Sequence, residues 1–285
     1  MTTGARARVA LHAAAVLFGL TGVIGAWLEL PAMEITLARC VVGALALWAI
    51  ARRRREPLAP TRALVVNGAL LAVHWTSFFA AVAAAGVAVG SLGYASFPLF
   101  VVLFERVLAG RTLDRTGAVT VVLVSLGLAT MAWPGTAVPG LVAGLAFGVA
   151  SGASFAWLSV RVRLHLAGAT PVALAFGQCV FAALWLLPVV AVVGGLRMPA
   201  PAQGAGLLVL GVACTAVAHT LFIGAMRAVS AHTASVIVAL EPVYAIALAA
   251  LLLRQLPGAT TLAGGALVIG AAVVASRRGA VTSPV

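Results

Sequence analysis

The sequence predicts an all-α, polytopic membrane protein of ten transmembrane helices arranged as two inverted five-helix repeats. Three observations carry this expectation. The 285 residues are 63% apolar and only 8% charged, whereas a water-soluble domain needs about 25% charged residues to cover its surface. Chain-breaking residues recur between apolar runs at the spacing of bilayer crossings, and the second half of the chain repeats the first.

A hydrocarbon core about 30 Å thick and a helical rise of about 1.5 Å per residue make each crossing roughly 20 residues long. The expected spans are 9–28, 33–51, 63–84, 88–107, 116–133, 139–160, 170–193, 204–226, 230–253 and 259–276. Pro31, Pro57, Pro60, Gly110, Pro134, Gly135, Pro139, Pro171, Pro199, Pro201, Pro257 and Gly258 fall between or at the edges of these runs, where a broken helical ladder costs least. Between the third and fourth spans, Ala85 to Val89 has neither proline nor charge and reads as a very tight turn rather than the middle of one overlong helix. A cleavable signal peptide competes for the first 30 residues, which hold two arginines, an apolar stretch and the small pair Gly25 and Ala26. Against it, residues 9–28 are long enough to span and the repeat needs them as its first helix. Ten crossings leave short connections and a disordered cytoplasmic tail at 277–285, with no room for a soluble domain.

The net charge of +12, from 18 arginines against six acids, superficially suits a nucleic-acid partner. Its distribution excludes one, because the arginines cluster between apolar runs as cytoplasmic loops do. With the N-terminus inside, fifteen arginines fall on the cytoplasmic side, only Arg197 and Arg254 fall outside, and Arg39 alone lies within a span. An even number of helices returns the C-terminus to the same side. The expected setting is therefore the bilayer of a bacterial inner membrane. Cys40, Cys179 and Cys214 lie singly in apolar runs and read as packing residues, not as a disulfide or metal framework. No cofactor is expected.

Leu17, Phe18, Gly19 and Leu20 correspond to Ala146, Phe147, Gly148 and Val149 at an offset of 129, and Ser91, Pro98 and Thr116 to Ser235, Pro242 and Thr260 at an offset of 144. The units are 1–136 and 137–276. An odd number of helices per unit forces the halves to insert with opposite orientation, and inverted repeats place a binding site near mid-membrane between them.

The stretch His74-Trp75-Thr76-Ser77-Phe78-Phe79, followed by Gly93-Tyr94-Ala95-Ser96-Phe97-Pro98-Leu99-Phe100 and by Glu241-Pro242-Val243-Tyr244, resembles the drug/metabolite transporter superfamily. The chain is similar to its ten-helix EamA branch over essentially its whole length, and to the bacterial exporters of aromatic and other amino acids in particular. The resemblance implies a monomeric exporter of small molecules, not an enzyme, with a central cavity lined by helices 1, 3, 4, 6, 8 and 9 and with helices 5 and 10 as support.

Ionisable groups in lipid cost about 2.5–3.5 kcal/mol each at mid-span, so each needs a partner or a watery cavity. Glu241, His74 and His219 are the central ones, and His219 aligns with Trp75 at the offset of 144. Their functional reading is donors and acceptors for a zwitterionic amino acid, whose side chain would be held by aromatic neighbours. The structural alternative is histidines bonded to carbonyls of adjacent helices and Glu241 as a strut before Pro242. The candidate substrate-binding residues are His74, Trp75, Phe78, Ser91, Tyr94, Ser154, Trp157, His219, Ser235, Glu241 and Tyr244, with Phe97 and Phe155 as further aromatics. Pro98 and Pro242 are expected to bend the fourth and ninth helices at equivalent points and so to serve as paired gates, unless they are static kinks.

Other residues read structurally. Trp27, Trp48 and Trp133 lie near span ends as interfacial anchors, Gly140, Gly144, Gly148 and Gly152 form a stripe for close helix packing, and Arg39 is expected to snorkel or pair with Glu34. Two rivals remain open: multidrug efflux, since Glu241 could hold a hydrophobic cation, and a membrane-embedded enzyme. For the enzyme, Ser151-Gly152 only faintly matches a serine-hydrolase motif, and the single aspartate, Asp114, lies in a loop.

The topology has a direct check. In a chain whose native cysteines are replaced, a single cysteine in the Arg111 loop should label from the cytoplasmic side and one in the Arg197 loop from the opposite side. Labelling of both from one side would overturn the inverted repeat.

Overall fold

Hydrocarbon offers no partners to backbone N–H and C=O groups, so a chain immersed in it must satisfy them within helices. In the computed structural model, which describes residues 3–58, 60–133, 138–166, 168–193, 198–226, 229 and 237–281, every regular element is helical. In chain order these are α1 (Thr3–Leu28), α2 (Ala32–Arg54), α3 (Arg62–Tyr94), α4 (Phe97–Ala109), α5 (Arg115–Met131), α6 (Leu141–His165), α7 (Pro171–Val193) and α8 (Pro201–Gly211). A π-helical stretch (Val212–Val217) then carries α8 into α9 (Ala218–Met226), and α10 (Glu241–Leu253) and α11 (Ala259–Val281) complete the chain. Seven helical stretches are long and apolar enough to cross a membrane, while α5 and α10 are apolar but shorter. Large apolar side chains such as Leu45, Val73, Leu126, Val142 and Leu184 stand exposed on their outer faces, as lipid-facing residues do.

The expected tight turn between the third and fourth spans is present inside α3. Gly86 breaks the 33-residue stretch with φ 83 and ψ 172, a conformation open essentially only to glycine. The two arms fold back on each other closely enough that a Cβ on Gly90 would lie 3.0 Å from the Val82 amide nitrogen. Past the break, the Val87 N–H donates to Gln255 Oε1 at 3.2 Å, so the loop between α10 and α11 caps the returning arm. That arm and α4 together make the fourth crossing.

The fourth crossing is broken rather than bent at proline, which corrects the expectation for Pro98. The chain turns at Ala95 and Ser96, and Pro98 sits in the first turn of α4, where its missing N–H has no helical partner to lose. Pro242 occupies the same place in the first turn of α10, after a turn at Ala239 and Leu240. The paired irregularity thus precedes each proline. Of the expected ninth span, 230–236 lies outside the described residues.

The helices pair across the two halves. The first helix of each half packs on the fourth crossing of the other, α1 on α10 and α6 on the returning arm of α3 and on α4; α2 packs on α7 and α5 on α11. Glycines set the closest approaches. A Cβ on Gly19 would meet the Ala245 backbone nitrogen at 2.8 Å, one on Gly148 the Cα of Gly93 at 2.9 Å, and one on Gly127 the Gly264 carbonyl at 2.7 Å. The α6 stripe is therefore a packing seam, with Gly140 against Ala84, Gly144 against Ala85 and Gly152 against Tyr94 and Ser96. Gln203 at the start of α8 accepts from the Ala200 N–H and donates to the Leu28 carbonyl, tying α8 to the end of α1.

Gly86→Ala should lower stability by about 1–3 kcal/mol, the cost of forcing a side chain into that backbone region. The measurement is the thermal unfolding midpoint of the purified protein in detergent. Gly110→Ala is the comparison: this glycine has φ 64 in an open helix end with nothing within 4 Å, so its substitution should cost less.

Candidate functional site

Two clusters of polar and aromatic side chains lie inside the bundle. The first surrounds His74 on α3, which is buried. Its Nδ1 lies 2.8 Å from Ser151 Oγ and 3.1 Å from the Ser151 carbonyl on α6. The imidazole is walled by Phe155 at 5.0 Å and Tyr94 at 5.2 Å between ring centroids, Phe97 stacks on Tyr94 at 5.7 Å, and Phe78 meets Tyr94 edge-on at 6.1 Å. The glycine seam explains the convergence: with Gly148 and Gly152 against the returning arm of α3, Ser151 and Phe155, four residues apart on one face of α6, are carried to His74.

The second cluster joins α1, α9 and α10. His219 Nδ1 donates to the Thr215 carbonyl at 2.9 Å, leaving Nε2 as an acceptor, and its ring lies edge-on to Phe18 at 5.3 Å. Glu241 begins α10 where α1 crosses at Gly19. His219 and Glu241 are both half-buried. On the same helix pair, His12 Nδ1 lies 2.7 Å from the Tyr244 hydroxyl.

Arg39 connects the clusters, and here the structure corrects the sequence. The guanidinium neither snorkels nor pairs with Glu34; it turns inward and is 2% exposed. Nε donates to Thr215 Oγ1 at 2.8 Å, Nη2 to the Cys214 carbonyl at 3.3 Å, and the guanidinium carbon lies 3.9 Å above the Trp75 ring. The π-helical stretch presents these acceptors. It widens the turn so that the Ala218 N–H reaches the Ala213 carbonyl, while the Thr215 hydroxyl gives its proton to the Leu210 carbonyl at 2.9 Å and turns a lone pair to Arg39. The crossing of Gly43 and Gly211 brings α2 close enough for this, since a Cβ on Gly43 would lie 3.0 Å from Thr215 Cγ2.

Of the residues singled out in the sequence, His74, Trp75, Phe78 and Tyr94 come together with Phe97 and Phe155, and His219 and Glu241 face the second cluster. Ser91 is buried in the returning arm opposite Gly22 of α1. Ser154 spends its hydroxyl on the Ala150 and Ser151 carbonyls of its own helix at 2.8 and 3.0 Å. Trp157 stands apart, exposed and packed against Phe104 at 5.8 Å, because two residues beyond Phe155 is roughly 200° around the helix. Ser235 lies outside the described residues. Sequence reasoning missed His12, Phe18 and Thr215 and misread Arg39. A lone arginine inside an apolar run was the available signal, whereas His12 and Thr215 gave none.

Thr215→Val removes the acceptor of a buried charged donor and should destabilise the protein by about 1.5–3 kcal/mol. Thermal unfolding in detergent measures it, against Cys214→Ala, which keeps the backbone carbonyl that Arg39 uses and should cost less.

Comparisons with known proteins agree with this architecture. No curated protein matches the chain. A solved structure described only as the crystal structure of a protein is similar in fold, with a TM-score of 0.68 at 20% identity, over 97% of this chain and 99% of that one. Two stretches, residues 7–133 and 142–277, each match the EamA-like transporter family. With two copies of that unit occupying most of its length, the chain belongs to the EamA-like transporter family.

Proposed function

We propose that the protein exports amino acids or related small metabolites across a bacterial inner membrane, as a monomer with both termini in the cytoplasm. Membership of a transporter family supports transport of small molecules, and the crowding of arginines on one side of the expected topology supports the orientation. The observation that carries the substrate class is the convergence of complementary chemistry between the halves. His74 inside its aromatic wall, from α3 and α6, and His219 of α9 are linked through Arg39, which lies between Trp75 and Thr215, and Glu241 stands at the start of α10. In this reading Glu241 takes the ammonium, the histidines serve polar groups, and Trp75, Phe78, Tyr94, Phe97 and Phe155 hold a large apolar side chain. Ser91, Tyr244 and Ser235 complete the lining, and Ser154 contributes by ordering α6. The breaks just before Pro98 and Pro242 are the joints on which the two halves of the fourth and ninth crossings swing, giving access to each side in turn.

Efflux of hydrophobic cations has one feature in its favour: Glu241 makes no ion pair among the described residues. The permanent charge of Arg39 opposes it, since a cation would enter the field of a buried guanidinium. The contact of Ser151 Oγ with His74 outwardly suits a hydrolase, but Ser151 is fully buried and, among the described residues, no carboxylate bonds to the imidazole.

Proteoliposomes containing the full chain should show saturable counterflow of L-phenylalanine in a panel of amino acids, nucleosides and cationic dyes. His74→Ala and His219→Ala should raise the half-saturating concentration about tenfold, equivalent to about 1.4 kcal/mol each, with insertion intact. Transport of dyes alone would overturn the amino-acid reading, and unchanged kinetics in both variants would return the histidines to packing. Flux indifferent to an imposed proton gradient identifies a uniporter; acceleration by the gradient identifies proton coupling.

A further inference from the structure

We infer that Arg39 is the docking point for the carboxylate of the transported molecule. The inference rests on the transport reading above and adds to it the residue that selects for an acid group.

A guanidinium stays charged under all conditions relevant here and carries five N–H donors. At Arg39 two of them are used, on neutral acceptors, the Thr215 hydroxyl and the Cys214 carbonyl, and the guanidinium lies over the face of Trp75. Nη1 is buried and has no hydrogen-bond partner among the described residues. A purely structural buried arginine brings a carboxylate with it, because leaving one member of a buried pair uncompensated costs several kcal/mol. Here the ion pairs among the described residues are Arg54 with Glu56 and Arg163 with Glu105, both near helix ends and away from Arg39. Glu34, one turn earlier on α2, belongs instead to an apolar groove with Leu30, Leu37 and Pro199.

The pattern is that of a cation held in place by neutral groups, with one edge reserved. Thr215 and Cys214 fix the Nε and Nη2 side from the second half of the chain, Trp75 fixes the plane from the first, and the Nη1 donors are unmet. A carboxylate supplies the missing acceptor as a charge-assisted hydrogen bond, the strongest kind open to a guanidinium. Trp75 adjoins His74, and the Thr215 carbonyl holds His219, so an acid group at Nη1 sets the rest of the molecule between the two clusters. Glu241, at the start of α10, then matches the opposite charge of a zwitterion. Arg39 is 2% exposed, so the carboxylate reaches Nη1 only when the surrounding helices part, as alternating access requires.

The test is binding to the purified full-length protein in lipid nanodiscs of three probes: L-phenylalanine, L-phenylalaninamide, which lacks the carboxylate, and 3-phenylpropionate, which lacks the amine. The wild type should bind the amide at least tenfold more weakly than L-phenylalanine. Arg39→Gln should narrow that ratio to within twofold, whereas Arg39→Lys, which keeps the charge, should retain a preference for the acid. Equal binding of acid and amide by the wild type, or an undiminished ratio in Arg39→Gln, overturns the inference while leaving transport intact. Should Arg39→Gln not fold, the wild-type ratio and the Lys variant decide. Tighter binding of 3-phenylpropionate than of L-phenylalaninamide upholds the carboxylate at Arg39, and its loss in Arg39→Gln confirms the contact independently of the amine. Absence of any L-phenylalanine binding overturns the amino-acid reading and the inference together.

Discussion

The approach of α6 to the α3 hairpin is the contact on which the rest of the arrangement depends. Without side chains at Gly93 and Gly148 the two backbones touch, and lipid, which supplies no hydrophobic drive between helices, leaves such close packing as a main source of association. That contact is made between halves of the chain rather than within one. It forces α6 to lie along both arms around Gly86, and with that geometry fixed, Ser151 and Phe155 reach His74. The α1 crossing at Gly19 does the same for the opposite side, delivering Phe18 to His219 where α10 begins. Each half is thus completed by the first helix of the other.

Within that frame the electrostatics are organised by a single cation. Arg39 originates on α2, rests on Trp75 of α3 and is bonded to the π-helical stretch of the second half. Its bonds tie the parts of the protein expected to move relative to one another, so a change of acceptor at the guanidinium and a change of conformation are coupled in both directions. Neutral acceptors suit this role. A buried carboxylate partner would hold the charge by several kcal/mol, whereas a hydroxyl and a carbonyl hold it by less and can be exchanged.

Most of the fold was legible in the sequence because hydropathy and arginine placement report directly on the solvent. Composition gave the class, and the offsets of 129 and 144 gave the repeat. The uncharged joint at Ala85 to Val89 disclosed a turn even though it holds no proline, since two crossings of ordinary length had to share the run. Pro98 and Pro242 were legible as irregularities but not in kind: the sequence shows a missing N–H, not that the helix has already ended four residues earlier. The candidate site was legible where a polar residue interrupts an apolar run, as at His74, His219 and Glu241. It was not legible where ordinary residues gain meaning from a distant partner. Thr215 became visible only once Gly43 and Gly211 had brought α2 alongside, and Trp157 was separable from Phe155 only by its angle on α6. Arg39 failed for a related reason, since a nearby acid on the same helix offered a simpler local pairing than the neutral acceptors found across the bundle.

The π-helical stretch at Val212–Val217 has a consequence for chain length. Such a turn accommodates one more residue than an α-helical turn would, and everything after it is rotated accordingly. Deleting that surplus residue would advance the following segment by about 100°, swinging His219 and Phe222 from their places beside α1 toward lipid while leaving the span as apolar as before. The angular phase of the eighth crossing is therefore specified by an insertion that thickness-matching to a bilayer does not require, and an alignment gap at this point would separate chains with a polar interior from chains with a greasy one.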